Sequence, residues 1–172
     1  MTTIFWDVDT QHDFIQPDGR LYVAGSEEIV PVLRALSDYA HANDIRIIAS
    51  ADDHVEDHPE LSETPDFRET FPPHCMRGTP GQRKIPETTL RDPIVIELLD
   101  PSQIVLYGVA LDVCDRFAVE GLLRHRPASR LHVVTDATRP IDPAAGEALL
   151  RDWHHRGVAL VSSRDVLEGR VV

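Results

Sequence analysis

Apolar residues gather in five short runs along the chain, at 3–8, 45–51, 104–107, 131–135 and 159–162. Each run is rich in β-branched residues and nearly continuous rather than alternating, the pattern of a strand covered on both faces. Between the runs, apolar positions recur at helical spacing: 27–43 with Ser26 as N-cap, 114–125, and 143–156 opening on Asp142-Pro143. Strand and helix alternate. The pattern therefore predicts an α/β fold, a three-layer αβα sandwich around a mostly parallel sheet. Residues 52–93 interrupt the alternation, with many prolines, several histidines and little periodicity. A loop of that length inside a compact fold is a functional signal. With no repeat and no low-complexity linker, residues 1–172 read as one domain.

Composition narrows this picture. A 172-residue chain that is 42% hydrophobic can fill one core. It has no apolar run near the ~18 residues of a membrane span, and "MTTIFWDVDT" meets Asp7 before a signal-peptide core forms. The expectation is a soluble, cytoplasmic protein. A net charge of −12 repels phosphate backbones and anionic lipid, which argues against nucleic-acid and membrane partners. The two cysteines, Cys75 and Cys114, lie in unlike contexts and read as reduced thiols.

In open α/β sheets, ligands bind beyond the carboxyl ends of the strands. Three polar clusters fall at such ends: Asp9 and Asp13 in "DVDTQHDF", Asp52 and His54 in "ADDH", and Cys114 in "GVALDVCDRF". A thiol at a helix N-terminus meets the positive end of the dipole and unpaired N–H groups, which favour the thiolate and can hold an oxyanion. The alternative is a small buried hydrophobe. Asp9 is the matching general base, or else a turn-forming residue; Asp13 reads as a structural tie. Asp52 and His54, two apart on extended chain, point the same way, and His74 in "FPPHC" completes an Asp/His/His ligand set that leaves positions open. The same residues also fit a solvated acidic loop. His58 is a lesser candidate for a fourth ligand, and Cys75 reads as a bystander. Phe14 and Phe71 are candidate apolar walls of a small pocket, or plain core.

Taken together, "DVDTQHDF", "ASADDH", "FPPHCMRGTPG" and "GVALDVCDRFAVEGLL" resemble the isochorismatase-like cysteine hydrolases, in particular the metal-binding nicotinamidase branch. The motifs stand in family order and span most of the chain. The resemblance implies Cys114 as nucleophile, Asp9 as base, and Asp52, His54 and His74 as ligands of zinc or a related divalent ion such as iron or manganese. It also implies a cis peptide between Val109 and Ala110, with the N–H groups of Ala110 and Cys114 forming an oxyanion hole. The implied reaction is hydrolysis of a small amide, such as nicotinamide, through a thioester, and family members often self-associate.

One departure stands out. The family carries a catalytic lysine after a strand between the metal loop and the cysteine motif, but here "TTLRDPIVIELLDPSQIVLYGV" occupies that place without one. Lys84, the only lysine, lies in the loop motif "GQRKIPE" and reads as a surface charge, with substitution for the family lysine as the lesser alternative. Loss of the family lysine predicts a less acidic thiol and weakened activity. The alternative function is a catalytically impaired relative that binds a small ligand or a protein partner. Losing that strand also predicts five strands in the order 2-1-3-4-5, a short crossover helix within 88–100, and a bare sheet edge covered by the 52–93 loop or a second subunit.

Overall fold

The computed structural model describes residues 3–67, 69–89 and 101–171. Its sheet has five strands: β1 (Thr3–Val8), β2 (Arg46–Ala49), β3 (Gln103–Val109), β4 (Arg130–Arg139) and β5 (Ala159–Val161). All neighbours pair in parallel, in the order β2-β1-β3-β4-β5. Each expected strand is present. Those near the centre outrun their apolar runs: β3 is buried at all seven positions, and β4 continues through Asp136 to Arg139, because the ladder with β3 resumes after an irregularity at Leu106/Gly108.

Successive residues of a strand point to opposite faces, and the core divides accordingly. Phe5, Val105 and Tyr107 face a layer that includes α2 (Val30–Ala42) and α5 (Ser163–Leu167). Ile4, Ile104 and Leu106 face α3 (Cys114–His125) and α4 (Pro143–His155), where Trp153 is fully buried. This is the expected αβα sandwich. Burial on both faces is why the strands read as continuous apolar runs.

The helices carry one correction. Ser26 does not cap α2. It opens a 3-10 turn, Ser26–Ile29, and its buried hydroxyl donates to the carbonyls of Phe14 and Ile15 at 2.8 and 3.1 Å, at the end of the short α1 (His12–Ile15). α2 itself begins at Val30 with Pro31 in its first turn. α4 is capped by Asp142, whose carboxylate accepts from Ala144 and Ala145.

The expected crossover helix falls almost wholly on residues 90–100, outside the described residues; Thr88 belongs to a 3-10 turn, Pro86–Thr88. The two 3-10 turns of the long loop, Pro80–Gln82 and Pro86–Thr88, pack on α1 and α2 respectively. Among the described residues, β2 pairs with β1 alone.

At the carboxyl ends the chain is tightly constrained. Gly108 (φ 140°) lies against β1, where a side chain's Cβ would stand 2.0 Å from the Val8 carbonyl oxygen. Only glycine permits that approach. The next residue begins the cis Val109–Ala110 peptide, and Asp9 leaves β1 in a left-handed conformation (φ 46°) that a non-glycine residue adopts only when its surroundings compel it.

Candidate active site

The site is assembled from three strand ends and the long loop. The loop has little regular structure, so side chains fold it. Asp13 is central: its carboxylate accepts from the N–H of Cys75 at 2.7 Å and of Arg20 at 3.1 Å. The backbone of Gly81 passes so close that a Cβ there would lie 2.1 Å from the same carboxylate. Asp13 is thus the structural tie the sequence suggested. Gln11, given no role by sequence reasoning, clamps the start of the loop. Its amide oxygen accepts from Asp52 N–H at 2.6 Å and its amide nitrogen donates to Asp52 O at 2.9 Å. The exposed Arg77 guanidinium holds Asp53 through two nitrogens.

These constraints bring Asp52, His54 and His74 together, joined by Glu60, with one potential ligand atom from each within 4.8 Å of the others. Each imidazole has one nitrogen committed outward. His74 Nδ1 donates to Pro72 O at 2.8 Å, which leaves the Nε2 lone pair facing Asp52 Oδ2 at 3.5 Å. His54 Nδ1 meets His58 Nδ1 at 2.8 Å. Its Nε2 is buried, 3.1 Å from Glu60 Oε1 and 3.5 Å from Asp52 Oδ2, yet lacks the alignment of a hydrogen bond. A buried ring nitrogen surrounded by carboxylate oxygens without bonding to any of them fits a set of ligands around a cation. Two imidazoles and two carboxylates are a donor set suited to zinc, iron or manganese.

His58 is therefore not in the ligand cluster. It orients His54 from outside, the usual place for a histidine ligand's partner, and Glu60 takes the fourth place considered for it. Glu60 lies six residues after His54 in an aperiodic loop, where sequence spacing offered no signal. Cys75 stands apart, buried with its thiol on Gly81 O at 3.8 Å.

Asp52 also belongs to a second cluster with Asp9 and Cys114, again within 4.8 Å of one another. Asp9 thus stands within reach of the sulfur, and its carboxylate favours the protonated thiol. The N–H of Ala110, on the far side of the cis bond, favours the thiolate. The thiol is not made acidic, contrary to the helix-terminus expectation. Burial lifts it well above the usual thiol range, and the charges of Asp9 and Asp52 lift it further, outweighing the Ala110 N–H. Burial, then the Asp52 charge, also raises Asp9. Asp52 moves the other way: burial pushes it up, but the neighbouring His74 and His54 imidazoles outweigh that and hold it down.

A cavity of ≈ 250 Å3 opens over both clusters. Phe14, Phe71 and Ala110 line it together with Cys114, Asp52, His74 and Glu60. The rings of Phe14 and Phe71 stand edge-on to His74, at centroid distances of 5.3 and 6.2 Å. Leu21, Val113, Phe117, Ile141 and Glu69 also line it, so the wall combines apolar and acidic side chains.

Lys84 departs most from the sequence reading. It is no surface charge: its side chain is 12% exposed, and Nζ lies 3.0 Å from Asp7 Oδ2 and 3.1 Å from Thr10 Oγ1. The loop folds back so that Lys84 pairs antiparallel with Gln11, a contact invisible in a spacing of more than seventy residues.

No protein-family model matches the chain. A curated nicotinamidase/pyrazinamidase from Mycobacterium tuberculosis is 29% identical to it over 185 residues, covering 91% of this chain and 96% of the relative. Among solved structures, a pyrazinamidase of Pyrococcus horikoshii in complex with zinc aligns with a TM-score of 0.79 at 24% identity, over 94% of this chain and 99% of that one. An isochorismatase-like hydrolase from Alkaliphilus metalliredigens aligns at 0.82 with 21% identity, over 98% of both chains. In sequence the chain is thus similar to a nicotinamidase/pyrazinamidase, and in fold to isochorismatase-like hydrolases.

Proposed function

We propose that this protein is a metal-containing cysteine amidohydrolase acting on a small aromatic amide of the nicotinamide or pyrazinamide kind. The observation that carries the reading is the shared position of Asp52, which joins the Asp9–Cys114 pair to the histidine cluster beneath one cavity. The curated relative's name supports the substrate class.

Cys114 Sγ attacks the amide carbonyl carbon while Asp9 accepts the thiol proton, so the resting form pairs a protonated thiol with an ionised carboxylate. Its raised carboxylate suits Asp9 to that exchange. The Ala110 N–H, beside the sulfur and in the wall of the cavity, is the donor for the oxygen that becomes negative. Asp9 returns its proton to the leaving nitrogen, ammonia departs, and water cleaves the thioester to release the acid and restore the thiol. Phe14 and Phe71 sandwich an aromatic ring in the cavity. Asp52, His54, His74 and Glu60 hold the divalent ion, and zinc is the choice consistent with the Pyrococcus horikoshii relative. When bound, that ion supplies a Lewis acid for a ring nitrogen or a water.

The test is ammonia release from nicotinamide and pyrazinamide by metal-replete protein. Wild type turns over at least one of them, and Cys114→Ala abolishes it by several orders of magnitude. If metal-loaded wild type releases no ammonia from either amide yet binds it, the binding-only reading replaces this one.

A further inference from the structure

The one lysine of the chain is buried among acids. Its segment is bound to the turn that carries Asp9: Ile85 N–H donates to Thr10 O at 3.0 Å, and His12 N–H to Arg83 O at 2.9 Å. From there the ammonium reaches Asp7 Oδ2 and Thr10 Oγ1, and Thr10 in turn donates to Asp7 Oδ2 at 3.0 Å. Thr88, in the neighbouring 3-10 turn, lies 2.6 Å from Thr10 Oγ1.

Two features go beyond a buried ion pair. Nζ contacts residues on both sides of Asp9 in the chain, so it braces the strained left-handed turn at Asp9 rather than Asp7 alone. The charge is also uneven. Asp7, Asp9 and, at the start of α3, Asp115 are all buried; among the described residues Asp7 Oδ1 and Asp9 Oδ1 are without hydrogen-bond partners, and Lys84 is a cation whose charge acts on both Asp7 and Asp9. An ammonium in that position offsets negative charge on an Asp9–Cys114 pair more strongly than one in water would.

We infer that Lys84 is a positioning residue for the reaction: acting through Asp7 and Thr10, it fixes the Asp9 carboxylate and offsets the negative charge of the Asp9–Cys114 pair. This rests on the reading of Cys114 as nucleophile and Asp9 as its base.

Lys84→Met alone leaves Asp7 buried without its partner and is expected to destabilise the fold. The decisive variant is therefore Asp7→Asn/Lys84→Met, which replaces the ion pair with a neutral pair of similar size. Thermal stability, bound metal, KM, kcat and the rate of Cys114 alkylation by iodoacetamide are compared with wild type. The double variant should keep its metal and fold, show KM within about twofold, lose about 10–100-fold in kcat, and alkylate about tenfold more slowly; Lys84→Arg should recover part of both rates. If the double variant matches wild type in kcat and alkylation, Lys84 does no more than neutralise Asp7 and the inference is overturned. Alkylation needs no amide turnover, so it decides the role of Lys84 even if the proposed hydrolysis fails.

Discussion

Asp9 and Asp52 are the same chemical group less than 5 Å apart, and the fold drives them in opposite directions. Both are pushed up by burial. Asp52 faces two imidazoles, each 3.5 Å away, and is held down as an anion. Asp9 faces a thiol and the Asp52 charge, and is held up. Neighbours rather than residue type thus keep one carboxylate anionic, as a cation ligand would be, and leave the other more basic. Neither environment is local in sequence. The imidazoles come from a loop anchored by Gln11 and Asp13, and the thiol from the far side of the central strand.

The sharpest way to break this contrast is to neutralise each acid in turn. Asp9→Asn should lose about 10²–10⁴ in kcat while its metal content stays at the wild-type level. Asp52→Asn should lose the metal itself, as measured by elemental analysis after dialysis. If Asp9→Asn sheds metal, or Asp52→Asn keeps it, the two carboxylates do not have separate roles.

Asp115 extends the comparison to a third acid in the same patch. Among the described residues its carboxylate accepts a hydrogen bond from Thr138 alone, at 2.5 Å, and burial lifts it to about 7. Because its folded pKa lies above its unfolded value, the folded state retains a proton that the unfolded chain releases. This part of the stability is full at pH 4, falls as pH rises towards 7, and is flat above that. Asp115→Asn should therefore be near wild type at pH 4 and gain up to about 4 kcal/mol at pH 8, read from denaturant curves at both values. Equal effects at the two pH values would mean that Asp115 stays ionised in the fold.

The smallest effects concern the metal's surroundings. Glu60→Gln and His58→Ala should each weaken metal affinity about 10–100-fold by competition titration, the first by losing a ligand atom and the second by freeing the His54 ring. Unchanged affinity in Glu60→Gln would leave a three-residue ligand set.

The sandwich could be read from the sequence because burial on both faces marks a strand with a run of apolar residues, a property of the strand alone. Its limits could not. The end of β4 depends on a ladder that resumes after an irregularity, and Ser26 is drawn from its cap by carbonyls belonging to another helix. In the site, Asp9, Asp52, His54, His74 and Cys114 each follow a strand or sit in a histidine motif, so type and position flagged them. Glu60 and Lys84 had neither signal. An acid in an acidic loop and a lysine among polar residues look like solvated charges until the backbone is closed around them.

By itself, then, the order of amino acids determined which segments become strands and helices, that the strands run parallel, and which reactive side chains gather at their carboxyl ends. Those outcomes follow from periodicity and chain connectivity, both written along one dimension. Only the tertiary structure decided which carboxylate is basic, that the Cys114 thiol stays protonated, that Glu60 joins the histidines, and that Lys84 is buried beneath Asp9. Each of those depends on burial and on charges a few ångströms apart in space but dozens of residues apart in the chain, and electrostatic energy follows distance in space.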